Sequence, residues 1–273
     1  MNSQVAQSLK FFGPLGVLVR PMIVATILFG LWRALNLARI GLGPRKVFWW
    51  ITAILLTGWL GLVWLLAAQG TFASFSTISP GFQAAMVAVT VLLPVAVAVI
   101  AGGISTTMTA ALDAAPLSWL VGVQVYRVLG FIFVRLWSHG LLPAYFGLPA
   151  GIGDTLVGVT ALPLAFALRS NTRLTRGLAL GWNVFGILDL VNAVTMGVTS
   201  ALVQSTPNIS PLPQYPLALI PAFGVPLSLI LHGLSFRQLR RRAIPASTGA
   251  TLNASSRRGS LTLDRTKYSH RSL

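Results

Sequence analysis

Residues 47–68 and 81–104 contain no charged side chain, and these two runs constrain the chain more than anything else in it. Each exceeds the roughly 18 apolar residues that mark a membrane-spanning candidate. As a helix rising about 1.5 Å per residue, either one crosses a hydrocarbon core of about 30 Å. The strands of a membrane barrel alternate apolar and polar residues, and a run such as VLLPVAVAVI, residues 91–100, does not.

The same criterion applied along the chain predicts an all-α, polytopic membrane protein, a bundle of seven transmembrane helices. The spans fall at about 13–32, 47–68, 81–101, 117–137, 150–168, 177–199 and 217–234. They form one domain over residues 1–242, followed by a disordered basic tail at 243–273. Residues 1–12 read as a polar lead-in, and Arg20 lies close enough to one end of span 1 to snorkel. The stretch LWRALNLARI, residues 31–40, overlaps the loop 33–46 and suits an amphipathic helix lying along the interface. Residues 69–80 and 138–149 read as loops, while Pro94, Pro221 and Pro226 should kink or break their spans.

A net charge of +16 in a soluble protein would suggest nucleic acid. Here the positive charge sits between spans and in the tail, so no nucleic-acid partner is expected. Arg33, Arg39, Arg45 and Lys46 lie between spans 1 and 2, and Arg169, Arg173 and Arg176 between spans 5 and 6. Arg237, Arg240, Arg241 and Arg242 follow span 7, whereas the segments joining spans 2–3, 4–5 and 6–7 carry no Lys or Arg. The positive-inside rule then predicts the N-terminus outside and the C-terminus in the cytoplasm of a plasma (inner) membrane. The basic loops and tail are expected to meet anionic lipid in the bilayer. Asn208-Ile209-Ser210 fits a glycosylation sequon in an outer loop.

Several marks recur at an offset of about 131 residues: Gly16 and Gly147, Arg45 and Arg176, Ser79-Pro80 and Ser210-Pro211, Pro94 and Pro226. They suggest a 3+1+3 parallel repeat, spans 1–3 answering spans 5–7 with span 4 between. Parallel repeats of this layout occur among transporters, the SWEET carriers included.

The chemistry is concentrated in the few polar residues inside the spans. An Arg at the bilayer centre costs about 2.5–3.5 kcal/mol on insertion scales, so it needs a partner. Arg127 lies near the middle of span 4 and Asp189 near the middle of span 6, and they are expected to pair. Arg135, at the end of span 4, matches the depth of Asp154, with His139 close by. On an α-helix Gln124, Phe131 and Arg135 share a stripe with Arg127 on its flank. Span 6 adds Trp182, Asp189 and Asn192 on roughly one face with Asn183 beside it, and span 7 adds His232 with Ser228 one turn away. Gly151, Gly153 and Gly158 suit close helix approach.

These ten residues (Gln124, Arg127, Arg135, His139, Asp154, Trp182, Asn183, Asp189, Asn192 and His232) are the candidates for binding a ligand or relaying protons. No catalytic residue, metal ligand set or cofactor is assigned. The chain has no Cys, and Lys10, Lys46 and Lys267 lie outside the spans or at a boundary, where no retinal Schiff base forms. His139 and His232 sit at opposite depths, unsuited to a bis-His haem. Gly151-Ile152-Gly153-Asp154 has too few glycines for a phosphate loop. The expected role is a small-molecule transporter or a ligand-binding or sensing protein, with a small polar or anionic ligand at spans 4, 5 and 6. Two readings stand beside it: a membrane enzyme acting on lipid with Asp154 and His139 as acid and base, and an accessory subunit in which every polar group is packing.

Overall fold

The computed structural model describes residues 3–203 and 209–241, with side chains from residue 17 onward. Asn208 of the sequon and the tail at 243–273 lie outside the described residues. The described residues are 88% helical, with no strand among them. Among the described residues, seven helical stretches are long and apolar enough to span a membrane: residues 17–37, 42–68, 80–104, 117–138, 144–170, 173–203 and 220–241.

The first two are α1 (Ser3–Leu37) and α2 (Leu42–Ala68). The expected lead-in is therefore helical from Ser3, because hydrogen bonding propagates through helix-forming polar residues beyond the apolar window. The stretch proposed as an interfacial helix, residues 31–40, is helical as far as Leu37. That part belongs to α1, after which Arg39 turns the chain in the left-handed region at φ 54° and α2 begins at Leu42.

Span 3 is α4 (Pro80–Ile104), which Pro94 interrupts without ending. The loop expected before it is largely a short helix, α3 (Thr71–Ile78). Gly70 reverses the chain at φ +74°, and Ser79 then caps α4 by accepting the Phe82 N–H at 3.1 Å, with Pro80 at the first helical position. Ser210-Pro211, the matching mark of the repeat, lies instead in turns ahead of span 7. The connector to span 4 contains α5 (Thr106–Ala114), capped in the same way by Ser105.

Span 4 changes its winding twice. It starts as α6 (Leu117–Gly122), tightens to a 3₁₀ helix over Val123–Gly130, and resumes as α7 (Phe131–Ser138). Span 5 is α8 (Ala144–Ala167), which begins directly after Pro143 and carries Pro149 and Pro163 inside it. A helix already turning after Pro143 leaves only a short reversal at 139–143, where a long loop was expected. Span 6 is α9 (Arg173–Val203). Span 7 opens on a π-turn at Ile220–Gly224, the break expected at Pro221, and continues as α10 (Val225–Arg241).

Spans 4, 5 and 7 form the interior: 39%, 44% and 50% of their apolar windows are buried, against 11% for span 3. Phe223 of the π-turn packs on Trp59 of α2 with ring centroids 4.6 Å apart, inside a cluster that includes Ile23, Leu60 and Leu227. A second cluster joins Phe133, Leu136, Phe146 and Ala150 to Ile209, Leu212 and Leu217. Leu92, Leu93, Val99, Ile100 and Ile104 of α4 are exposed, as a surface meant for lipid requires.

Small residues let α8 lie against span 4. A side chain at Gly130 would run into Asp154, one at Gly158 into the Val128 backbone, and one at Gly151 into Val134. Interfaces of this kind are how membrane helices replace the hydrophobic driving force that lipid removes. The bundle has a basic end, where Arg237 of α10 donates to Thr109 Oγ1 at 3.0 Å. At the opposite, uncharged end α8 begins and α9 ends, and Tyr145 is hydrogen-bonded to Ser200 at 2.9 Å.

Candidate functional site

The 3₁₀ segment decides which way the polar residues of span 4 point. At three residues per turn, side chains at i and i+3 eclipse, so Gln124, Arg127 and Gly130 form a single row. All three are buried. Phe131 and Arg135, expected on the same stripe as Gln124, are exposed instead.

Arg127 is 3% exposed and spends each guanidinium nitrogen on a different partner. Nε donates to Asp154 Oδ1 at 2.6 Å, and Nη2 donates to Asp189 Oδ2 at 2.6 Å. Nη1 lies 2.9 Å from His232 Nε2. The expected pair of Arg127 with Asp189 is therefore present. The expected pair of Arg135 with Asp154 is not: Asp154 belongs to Arg127, and the Arg135 side chain faces outward. Because α8 begins at Ala144, Asp154 lies ten residues into it. That is about 15 Å along the axis, at the depth of Arg127 and away from the mouth of the span.

Donor and acceptor roles propagate from the arginine. A guanidinium has no acceptor, so His232 Nε2 accepts and its proton sits on Nδ1. That N–H points to Asn183 Oδ1 at 3.0 Å, and Asn183 Nδ2 in turn donates to Ala179 O at 2.7 Å. The chain Arg127–His232–Asn183–Ala179 thus has one consistent polarity. Trp182 closes over the imidazole with ring centroids 5.0 Å apart and donates to Thr160 Oγ1 at 2.9 Å. Gly186 makes room beside it, since a side chain there would strike the His232 ring.

Asn192 does not join. It is exposed, and nine residues from Asn183 it sits about 180° around the helix. His139 is exposed at the uncharged end, and among the described residues no hydrogen bond or ion pair joins it to Asp154.

Sequence reasoning missed two members of the site. Tyr126 is hydrogen-bonded to Ser228 Oγ at 2.6 Å, and Arg20 lines the same small cavity as Tyr126, Arg127 and Asp154. That cavity measures about 60 Å³. The signal for Arg20 was its place inside an apolar span, which snorkelling seemed to explain.

A second cavity, of about 100 Å³, shares Asp154, Leu190, Ile220 and Val225 with the first and runs toward Ile209, Leu212 and Pro213 near the uncharged end. Asp154 borders both cavities, and Asp189 borders the larger one. Each carboxylate uses one oxygen on Arg127, and no hydrogen bond falls on the other among the described residues.

Toward the basic end, α10 continues the polar row: Ser228, His232, Ser235 and Gln238 are all buried. Gln238 Nε2 donates to Ala115 O at 2.8 Å and also to Leu112 O. Gln124 is fully buried, and neither its amide nitrogen nor its amide oxygen has a hydrogen-bond partner. Among the described residues no group of His, Asp and Glu is placed to hold a metal ion.

No curated protein and no solved structure matches the chain. A family model does, over residues 82–240, more than half of the length. The matched region holds Arg127, Asp154, Asn183, Asp189 and His232, while Arg20 lies ahead of it. The chain belongs to the family described as a domain of unknown function, DUF8737.

Proposed function

We propose that this integral membrane protein binds or moves a small polar molecule at the Arg127–Asp154–Asp189 cluster. The observation that carries the reading is the cavity of about 100 Å³ whose wall contains both carboxylates. Two buried ion pairs serving packing alone would need no space beside them, and interhelical polar bonds in membranes are worth only about 0.6 kcal/mol on average. Buried charges next to a cavity mark ligand and proton pathways in membrane proteins. A binding route from the uncharged end, and the break in span 7 at Ile220–Gly224, belong to the same reading.

In this proposal the uncharged end faces outward and the basic end faces the cytoplasm of a plasma membrane, where it meets anionic lipid. A C-terminal reporter should be active only in its cytoplasmic form; activity of an exported form overturns the orientation. The site itself is tested by thermal unfolding of the purified protein in lipid nanodiscs against a panel of small polar molecules. A ligand should raise the melting temperature, and Ala193→Trp, which fills the cavity, should abolish the rise. Stabilisation that survives Ala193→Trp places the ligand elsewhere.

A further inference from the structure

We infer that the larger cavity takes a small organic cation, an alkylammonium with an apolar body. This rests on the proposal that the cavity is the ligand site, and it adds the charge and size of the ligand. Among the described residues, the only charged ones in its wall are Asp154 and Asp189. Arg127, their shared partner, lines the smaller cavity and not this one. With one guanidinium between two carboxylates, the trio carries a formal charge of −1 when both are ionised. Arg20 lines the smaller cavity and not this one. A ligand in the larger cavity therefore meets carboxylate first.

The unused oxygens strengthen the assignment. The Asp189 side chain is 7% exposed, and its second oxygen accepts no hydrogen bond among the described residues. That oxygen is accessible rather than sealed in, so a donor entering the cavity can reach it. An ammonium supplies three donors and one positive charge. An anion would be repelled, and a neutral apolar molecule would leave the oxygens as they are. Among the described residues no group of His, Asp and Glu is placed to hold a metal ion there.

The rest of the wall selects the body of the ligand. Phe72, Phe75, Phe133 and Phe146 line it together with aliphatic side chains such as Met86 and Val91. Phenyl faces attract an organic cation as well as its methylenes. A volume of about 100 Å³ is smaller than the ~150 Å³ that holds a benzene ring. The ligand is accordingly compact, on the order of five non-hydrogen atoms by that comparison.

The test uses three probes with similar alkyl chains and charges of opposite sign or none: n-butylamine in its protonated form, butyramide and butyrate. Their binding to the full-length protein in nanodiscs is titrated by saturation-transfer NMR. Butylammonium should bind at least tenfold more tightly than butyramide, with butyrate weakest. Asp189→Asn should lower butylammonium affinity at least tenfold and change butyramide affinity less than twofold. Because Asp189→Asn disturbs a buried pair and its yield can fall, the comparison of the three probes on the unmodified protein is the primary measurement. Butylammonium binding no tighter than butyramide, or no binding by any probe, overturns the inference. If butyramide or butyrate binds best and Ala193→Trp removes it, the site survives and the cation assignment fails. If binding persists in Ala193→Trp, both fail.

Discussion

Arg127 Nη1 and His232 Nε2 lie 2.9 Å apart, and that single contact orders the polar chemistry of three spans. The arginine must donate, so the imidazole is held neutral at this nitrogen and presents its proton to Asn183.

Replacing His232 with Leu removes the acceptor for Nη1 and the donor to Asn183 together. Two buried polar groups are then left without partners, each costing about 1–3 kcal/mol. His232→Leu should lower unfolding stability in detergent by at least the smaller figure. His232→Gln, which can still accept from Arg127, should lose less, and equal losses for the two would remove the acceptor role.

Arg127→Met strands two carboxylates in the interior. Breaking a buried pair by removing one partner costs about 3–5 kcal/mol, so the folded yield should fall sharply. The triple variant Arg127→Met, Asp154→Asn, Asp189→Asn removes all three charges and should recover much of it. Thermal unfolding of the two variants side by side decides the matter.

Gln124 behaves oppositely. Its amide is buried with no partner on either atom, so an apolar residue of similar volume relieves a cost. Gln124→Met should be neutral or stabilising by up to about 1–3 kcal/mol. A loss of similar size would show that the amide has a partner in the membrane.

Gly158 and Gly103 make a paired comparison. A methyl at Gly158 meets the Val128 backbone, whereas one at Gly103 meets nothing. Overpacking costs about 1–3 kcal/mol, so Gly158→Ala should destabilise by that amount. Gly103→Ala should change stability by less than about 0.5 kcal/mol.

Much of this was readable beforehand, for physical reasons that also explain the rest. Counting apolar runs gives seven spans, because the bilayer sets one minimum length for all of them. Matching Arg127 to Asp189 needed only their depths. Assigning Asp154 to Arg135 failed because depth was counted from an expected start near residue 150, while α8 begins at Ala144. The stripe with Phe131 and Arg135 failed because it presumed α-winding through a segment that winds as 3₁₀. Nothing local in QVYRVL, residues 124–129, announces that choice; the close approach of Gly130 and Gly158 to their neighbours is a tertiary fact. The helix at Thr71–Ile78 was hidden by its Ser and Thr content, which favours turns when nothing else intervenes.

The tight winding of Val123–Gly130 also sets a length. A 3₁₀ helix rises about 2.0 Å per residue and an α-helix about 1.5 Å. Over the eight residues of this segment the difference is about 4 Å. Rewinding it as α would draw the two ends of span 4 together by that distance and swing one around the other by nearly half a turn. Arg127, four residues in, would leave the row it shares with Gln124 and Gly130. The grip on Asp154 and Asp189 is thus tied to the pitch of one short segment of backbone.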